Sequence, residues 1–412
     1  MNKLPYGWKE YNLSKIGTSY GGLRNKKAKS FSENCNAKYI TYKSIYDSDK
    51  VDINRFKDVF VDKNENQNLV KYGDAFFTIS SETPNEVAMS SVLLDEVENT
   101  YLNSFCFGFR FDFNILLPEF ARYYFRSDYI RKSTYRLAQG ITRYNISKNK
   151  FLDIVIHLPP LDEQKRIASA LSKIDAYLEN TIKLIEEKER FKKGMAKKLL
   201  NREARFKGFN DEWETVKLGD LGIITATGVD KKIRDNEIPI KLLNYLDVFN
   251  RNKLYEKEIS YMTTATEKQL EKCNIRKGDL FITPSSEDRE GIAKSSVAME
   301  DFHDTVYSYH IIRVRFNKEI DLKFKSYMCD TDFFHRQAYR LSDGMGQRYF
   351  ISLNNFRNIE ICIPKSIEEQ KIIGEYLSLL DTEIDNLKEQ KEEIKKMKSG
   401  VIKKLMTGEV RL

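Results

Sequence analysis

The stretch LPPLDEQKRIASALSKIDAYLENTIKLIEEKERFKKGMAKKLL, residues 158–200, decides the fold of this chain. Its two prolines end the preceding segment, because proline has no backbone N–H to donate. Beyond them, apolar residues recur every three or four positions. This spacing predicts one long helix with a narrow apolar seam. The seam residues are Ile167, Leu171, Ile174, Leu178, Ile182 and Ile185.

A second stretch, residues 363–406, repeats this pattern near the end of the chain. It predicts a helix from about Ile367 to Met406, and Ser366 and Glu369 have the spacing of a capping box. A helix of about 39 residues is about 58 Å long, and neither helix can bury its seam alone. We therefore expect the two helices to form an antiparallel intramolecular coiled coil. The second set of seam residues is Ile373, Leu377, Leu380, Ile384 and Leu387.

The repetition extends outward from the helices over the whole chain. Gly73-Asp74 recurs 205 positions later as Gly278-Asp279, and Arg143-Tyr144 recurs at the same step as Arg348-Tyr349. One inserted residue near Ser366 changes the step to 206 for the residues that follow. A register held over this length indicates two copies of one fold.

Four segments follow from the repeat. We expect globular domains at residues 1–158 and 205–363, and the long helices with their flanks at 159–204 and 364–412. Each globular segment mixes short apolar runs typical of strands with helical patterns, so the fold class is mixed α/β (α+β). One continuous helix is predicted from Pro118 to Arg131 and another from Phe324 to Arg336.

Composition narrows the function classes. The chain has 412 residues, of which 41% are hydrophobic, and no run approaches the roughly 18 apolar residues of a membrane span. The start has no apolar core of a secretory signal, and five scattered cysteines suggest neither a disulfide framework nor a zinc site. A cytoplasmic protein without a metal is therefore expected. The net charge of +8 suits a polyanionic partner, although it also serves solubility alone.

An antiparallel helix pair would hold the two globular domains at a fixed distance and in inverted orientation. Double-stranded DNA presents sites on one face about every 34 Å, which is one helical turn. We therefore expect the target to be a DNA sequence with two separated halves, because such a target best explains two copies of one fold in one chain.

The sequence resembles the specificity subunit of type I restriction–modification systems over its whole length. The resemblance is carried by LPPLDEQKRI at 158–167, IPKSIEEQKI at 363–372, the two Gly-Asp strand starts and GITRYNIS at 140–147. The second copy of the last motif, GMGQRYFIS at 344–352, spaces its glycines differently. A base-reading role implied by the resemblance is therefore less readily assigned to this second segment.

The resemblance implies a non-catalytic role. The globular domains would be target recognition domains, each reading one half of a bipartite, gapped double-stranded DNA sequence. The helices would set the gap and dock two methyltransferase subunits, and restriction subunits would join the full complex. No cofactor is expected on this chain, whereas S-adenosylmethionine, ATP and Mg are expected on the partner subunits.

Three repeat-matched pairs are candidates for DNA contact. Paired lysines suit phosphates, hydroxyls at a strand end suit phosphates or base edges, and arginine can grip guanine with two hydrogen bonds. Each pair also has an ordinary explanation: a solvated surface, a turn, or an arginine that braces its own loop. The candidates are Lys26, Lys27, Ser80, Ser81, Arg143 and Tyr144, with their counterparts Lys231, Lys232, Ser285, Ser286, Arg348 and Tyr349.

Two other classes of protein are weighed against this one. A fused restriction–modification enzyme would need catalytic motifs, but the sequence has neither an Asn/Asp-Pro-Pro-Tyr methyltransferase motif nor a G-x-x-x-x-G-K-[ST] phosphate loop. A coiled-coil adaptor that binds only protein would explain the helices. It would not explain two basic domains of recognition type.

Overall fold

The computed structural model describes residues 4–32, 34–289, 291–344 and 348–412. The predicted glycine segment at 344–352 therefore includes three residues, 345–347, that lie outside the described ranges. The chain divides into two compact units. The first unit is Met1–Ile182 with Gln390–Leu412, and the second unit is Lys183–Glu389. Each unit thus contains one globular domain and about half of each long helix.

The first globular domain is built on antiparallel strands. The strands β1 to β11 are Lys9–Asn12, Gly17–Gly21, Ala37–Ile40, Lys57–Val59, Ala75–Thr78, Ser80–Ser81, Ser90–Val92, Thr100–Leu102, Cys106–Phe111, Tyr144–Asn145 and Val155–Leu158. A four-stranded sheet has the order β2-β9-β5-β7, and a three-stranded sheet has the order β4-β3-β8 with β3 and β8 parallel. The helices α1 to α6 are Leu13–Ile16, Tyr42–Asp47, Pro118–Tyr124, Asp128–Tyr135, Lys148–Leu152 and Leu161–Leu200.

The second globular domain repeats this plan. The strands β12 to β23 are Glu214–Lys217, Gly222–Thr225, Ile238–Leu243, Lys253–Leu254, Met262–Ala265, Leu280–Ile282, Ser285–Ser286, Ser295–Ala298, Thr305–Tyr307, Ile312–Phe316, Tyr349–Phe350 and Glu360–Ile363. Its larger sheet has the order β13-β21-β17-β19-β15, and its three-stranded sheet has the order β16-β14-β20. The helices α7 to α13 are Leu218–Leu221, Tyr245–Phe249, Glu267–Lys272, Leu322–Lys325, Asp332–Arg340, Leu353–Asn358 and Ile367–Met406.

The Gly-Asp motif anchors the central strand of each domain. Gly73 has φ +81° and Gly278 has φ +85°, a left-handed conformation that glycine adopts without strain. The buried Asp74 carboxylate that follows accepts two hydrogen bonds from Arg110, at 2.8 and 2.7 Å. Asp279 accepts the equivalent pair from Arg315, at 2.8 and 2.6 Å. The motif therefore serves the fold by joining β5 to β9 and β17 to β21.

The long helices pack antiparallel within each unit. In the first unit, Ile167 and Leu171 near the start of α6 share a core with Leu405 near the end of α13. In the second unit, Leu199 at the end of α6 shares a core with Ile373 near the start of α13. The predicted mixed α/β repeat with an antiparallel intramolecular coiled coil is therefore confirmed.

Buried polar side chains fix the start of each long helix. Gln164, which is fully buried, donates to Ile115 O and Pro159 O and accepts from Leu117 N, each at 2.9 Å. Gln370 makes the equivalent bonds to Pro364 O (2.7 Å) and from Asp321 N (2.9 Å). Both glutamines thus tie a helix to the loop before α3 or α10.

A glutamate next to each glutamine holds the other helix. The Glu163 carboxylate accepts two hydrogen bonds from Arg411 in the first unit, at 3.0 and 2.6 Å. In the second unit, Glu369 accepts the same pair from Arg205, at 2.9 and 2.7 Å. The predicted capping box is therefore only half formed. Ser366 Oγ accepts from Glu369 N, but the glutamate side chain turns to the arginine.

Three other details differ from the sequence predictions. Ile182 is 37% exposed while Thr181 is 5% exposed, so the threonine occupies the buried position in that turn of α6. The helix predicted from Pro118 to Arg131 is broken, because Ser127 has an extended backbone between α3 and α4. The helix predicted from Phe324 to Arg336 is likewise two helices, since Thr331 caps α11 through its side chain.

We predict that Gln164→Ala destabilises the first unit by about 1–3 kcal/mol, because it leaves a backbone N–H and two carbonyl groups without their partner. Gln390→Ala is the matched control. Gln390 belongs to the same unit and makes one hydrogen bond, to Tyr177. It should cost less than about 0.5 kcal/mol. Urea unfolding of the three chains tests this, and equal losses for both variants would contradict the anchoring role.

Candidate functional site

The structure brings two of the three candidate pairs together in each unit. Ser81 on β6 pairs with Tyr144 on β10, and Ser286 on β18 pairs with Tyr349 on β22. Each short two-stranded sheet therefore places an arginine, Arg143 or Arg348, beside the serines. Both arginines are exposed.

A short helix supplies the opposite wall. In the first unit, Tyr42 of α2 donates from its hydroxyl to Ser80 O at 2.7 Å, and its ring stacks on Tyr46 with centroids 6.2 Å apart. The rings stack because residues four apart lie on one helix face. Thr41 caps this helix by accepting from Ser44 N.

The second unit repeats this wall. Tyr245 of α8 donates to Ser285 O at 2.8 Å, and it stacks on Phe249 at 5.6 Å. Asn244 and Asp247 form a full capping box at the start of α8. The same contacts thus recur on different local sequences.

These walls enclose one cleft in each unit. The first cleft, of about 380 Å³, is lined by Tyr42, Tyr46, Ser80, Ser81, Glu82, Glu86, Phe105 and Arg143. The second cleft, of about 530 Å³, is lined by Tyr245, Leu246, Phe249, Ser285, Ser286, Glu287, Asp288, His310 and Arg348. Aromatic faces, hydroxyls and one arginine in an open cleft can contact an extended polar ligand.

The clefts differ in their titratable groups. Glu86 accepts hydrogen bonds from Thr83 and Tyr46, both at 2.6 Å, and these bonds lower the pKa of its carboxyl group. Burial, with Lys231 and Arg348 nearby, lowers the pKa of His310. The first cleft therefore contains the ionised carboxylate of Glu86, whereas the second contains the neutral imidazole of His310 in a lining that also includes Arg348, Glu287 and Asp288.

The lysine pairs do not behave alike. Lys26 donates to Phe60 O at 2.7 Å and to Glu65 Oε1 at 2.6 Å, and its side chain is only 5% exposed. Lys27, Lys231 and Lys232 are exposed. Contact with a phosphate would therefore require Lys26 to leave an internal ion pair, whereas among the described residues no ion pair holds Lys27, Lys231 or Lys232.

Comparing the two repeats at a fixed step in sequence did not identify the aromatic side chains on the short helix that forms one wall of each cleft. Tyr245 stands 203 positions after Tyr42, so the fixed step of 205 misaligns this helix. An alignment of the two copies that allows a gap of two residues would have found it. Phe105 and His310 keep the 205 step but differ in type, which hides a shared position.

The described residues contain no group of three or more histidine, cysteine, aspartate or glutamate side chains placed to hold a metal ion. None of the helices in the described ranges combines the length and the apolar character that a membrane crossing needs.

A family model for the type I restriction modification DNA specificity domain matches residues 5–187 and 210–396. The chain belongs to this family. The two matches coincide with the two copies of the repeat, so each globular domain with its following helix is one specificity domain.

Similarity to curated specificity subunits supports the same family assignment. The chain is 28% identical over 278 residues to the type I restriction enzyme MjaVIII specificity subunit of Methanocaldococcus jannaschii, and the match covers 65% of each chain. It spans just under two thirds of that relative's length. The StySPI specificity subunit of Salmonella potsdam is 23% identical over 393 residues, which cover 90% of this chain and 81% of that protein.

Solved structures of the family share the fold. The HsdS subunit from Thermoanaerobacter tengcongensis aligns with a TM-score of 0.52 at 18% identity, covering 99% of this chain and 98% of that one. A chain from a study of complex assembly and conformational transition of the type I R-M system aligns with a TM-score of 0.64 at 17% identity, with full coverage of both.

We predict that Lys26→Met destabilises the first unit at neutral pH, whereas the matched Lys27→Met does not. The hydrogen bond from Lys26 lowers the pKa of Glu65, so the pair stabilises the fold above the unfolded glutamate pKa of about 4.3. This contribution is lost as the pH falls through the lowered pKa. In urea unfolding, the difference in the free energy of unfolding between Lys26→Met and wild type should therefore shrink at acid pH. A difference that does not change with pH would contradict this role of the ion pair.

Proposed function

We propose that this chain is the DNA-specificity subunit of a type I restriction–modification complex, and that each globular domain reads one half of a bipartite, gapped sequence. One observation carries the proposal. The chain builds the same arginine-bearing cleft twice, from the same strand pair and the same tyrosine–carbonyl hydrogen bond. Two related clefts on one chain suit a target with two related half-sites.

The clefts have the chemistry for reading bases. An arginine guanidinium can donate two parallel hydrogen bonds to O6 and N7 of guanine, and serine hydroxyls can donate or accept at base edges. Arg143 and Arg348 are both exposed, and Arg348 Nη2 lies 3.5 Å from Ser285 Oγ. Lys27, Lys231 and Lys232 are proposed as phosphate contacts, which position the domain without carrying sequence information.

The long helices are proposed to set the gap and to dock two methyltransferase subunits. Their seam is used within each unit, but large apolar side chains remain exposed on both helices. We propose that these side chains contact the docked subunits. The exposed side chains are Leu161, Tyr177, Ile182, Leu184, Phe191, Leu379 and Met397.

The remaining chemistry is assigned to partners. We propose that this chain is non-catalytic and that S-adenosylmethionine, ATP and Mg bind to the methyltransferase and restriction subunits of the complex. Because its proposed target is DNA, the complex would act in the cytoplasm. The test is to map methylated adenines in DNA modified by this chain together with its methyltransferase. A bipartite motif supports the proposal, and specific assembly without any DNA preference would favour a protein-only adaptor.

We predict that Arg143→Ala relaxes discrimination at one position of one half-site and that Arg348→Ala does so in the other half. Each loss should be about 1–3 kcal/mol on the cognate duplex. Arg143→Lys is the matched control for charge, because lysine keeps the cation but loses the planar fork. Arg143→Lys should preserve the salt dependence of DNA binding while losing the discrimination between bases. Binding by the assembled methyltransferase to cognate and one-base-changed duplexes measures both effects, and a folded Arg143→Ala chain with unaltered preference would make this arginine a loop brace.

We predict further that exchanging residues 1–158 for the matching domain of another specificity subunit changes one half of the methylated motif only. The expectation rests on the separate core and cleft of each unit. Sequencing of the methylated sites reads the result. A swap that rewrites both halves would show that the domains do not read independently.

A further inference from the structure

One wall position at which the two clefts differ changes the chemistry that the wall can offer. In the first cleft this position is Phe105, which is 60% exposed. In the second cleft it is His310, which stands 205 residues later. A phenyl ring offers only an apolar face, whereas an imidazole can donate a hydrogen bond and take up a proton.

Three chain segments meet at His310. The bridge between Val229 and Ser308 places the segment of Lys231 beside the segment of His310, with Tyr309 N donating to Val229 O at 3.3 Å. Arg348 comes from β22 and its preceding loop, and it lines the same cleft. The His310 ring lies against Tyr309, with centroids 3.9 Å apart, which holds its orientation.

The first cleft has no equivalent set of cations. Lys26, the counterpart of Lys231, is held by Glu65, and Glu86 contributes an ionised carboxylate next to Tyr46. Only Arg143 remains there as a cationic lining residue among those described. Both cleft linings hold one arginine and two carboxylates, so the second cleft differs by its imidazole and by the exposed Lys231 on the neighbouring segment.

We propose that Lys231, His310 and Arg348 bind a backbone phosphate of the second half-site, and that His310 takes up a proton as the phosphate binds. The proposal rests on the function proposed above and adds a difference between the two half-sites. Only the second half-site would be held more tightly as the pH falls.

The direction follows from the groups that face His310. Burial lowers the pKa of this imidazole first, and the positive charges of Lys231 and Arg348 lower it further, whereas Asp230 acts in the opposite direction. Glu287 and Asp288 line the same cleft, and Asp288 Oδ1 accepts from Gly291 N at 2.5 Å. Free His310 is therefore neutral near pH 7. A phosphate would offset the two cations and favour the imidazolium, so binding and protonation reinforce each other.

The experiment measures binding of the methyltransferase-assembled complex to its mapped cognate duplex between about pH 8 and about pH 5.5. Uptake of one proton would tighten binding by up to about tenfold per pH unit. His310→Phe should remove this response, and the first cleft already tolerates phenylalanine at the position. His303→Phe is the matched control, since His303 is exposed in the same unit and outside the cleft. His310→Lys should bind tightly with little dependence on pH.

Measuring binding over a series of salt concentrations distinguishes contact with a phosphate from contact with a base edge. If a phosphate is bound, wild type should have a salt slope about one unit steeper than His310→Phe at low pH, on every sequence tested. If the response appears only on duplexes with one particular base, the cluster reads a base edge and the phosphate assignment is wrong. Specific binding whose pH response survives His310→Phe overturns this inference alone. Absence of any sequence-specific binding overturns the proposed function instead.

Discussion

The buried Glu-Gln pair at the start of each long helix is the constraint on which the rest of the structure depends. Gln164 and Gln370 satisfy the backbone of the adjoining globular domain, while Glu163 and Glu369 receive an arginine that follows the end of the other helix. A buried carboxylate without its cation, or a buried amide without its partners, costs more than the bond itself contributes. Two adjacent residues thus fix both the domain attachment and the helix direction in each unit.

The clefts depend on a second ion pair, in which the carboxylate is buried and the arginine is partly exposed. Asp74 with Arg110, and Asp279 with Arg315, hold the beginning of β5 and β17. Within a few residues each of these strands leads into the serine strand of its cleft. The rigid part of the domain is therefore next to the part that we propose reads DNA. Side chains in the cleft can differ, as Phe105 and His310 do, while the supporting pair stays the same.

The sequence was sufficient for the parts of the fold that depend on periodicity. The three-four spacing predicted both long helices, and the 205 step predicted two copies of one fold. It could not separate Thr181 from Ile182, because a threonine can fill a seam position that periodicity assigns to an isoleucine. Neither could it reveal that Lys26 is paired with Glu65, since that contact joins residues distant in sequence. The strand pairing that joins Ser81 to Tyr144 is equally long-range, so the clefts emerged only in three dimensions.

The first and last strands of each globular domain pair with each other. Lys9 lies opposite Leu158 on β1 and β11, and Glu214 lies opposite Ile363 on β12 and β23. The chain therefore enters and leaves each globular domain at neighbouring points. In genetic terms, each domain is a cassette that can be exchanged as one segment. Exchange of the segment from β1 to β11, or from β12 to β23, would replace one complete globular domain while leaving intact the buried glutamate and glutamine at the start of each long helix.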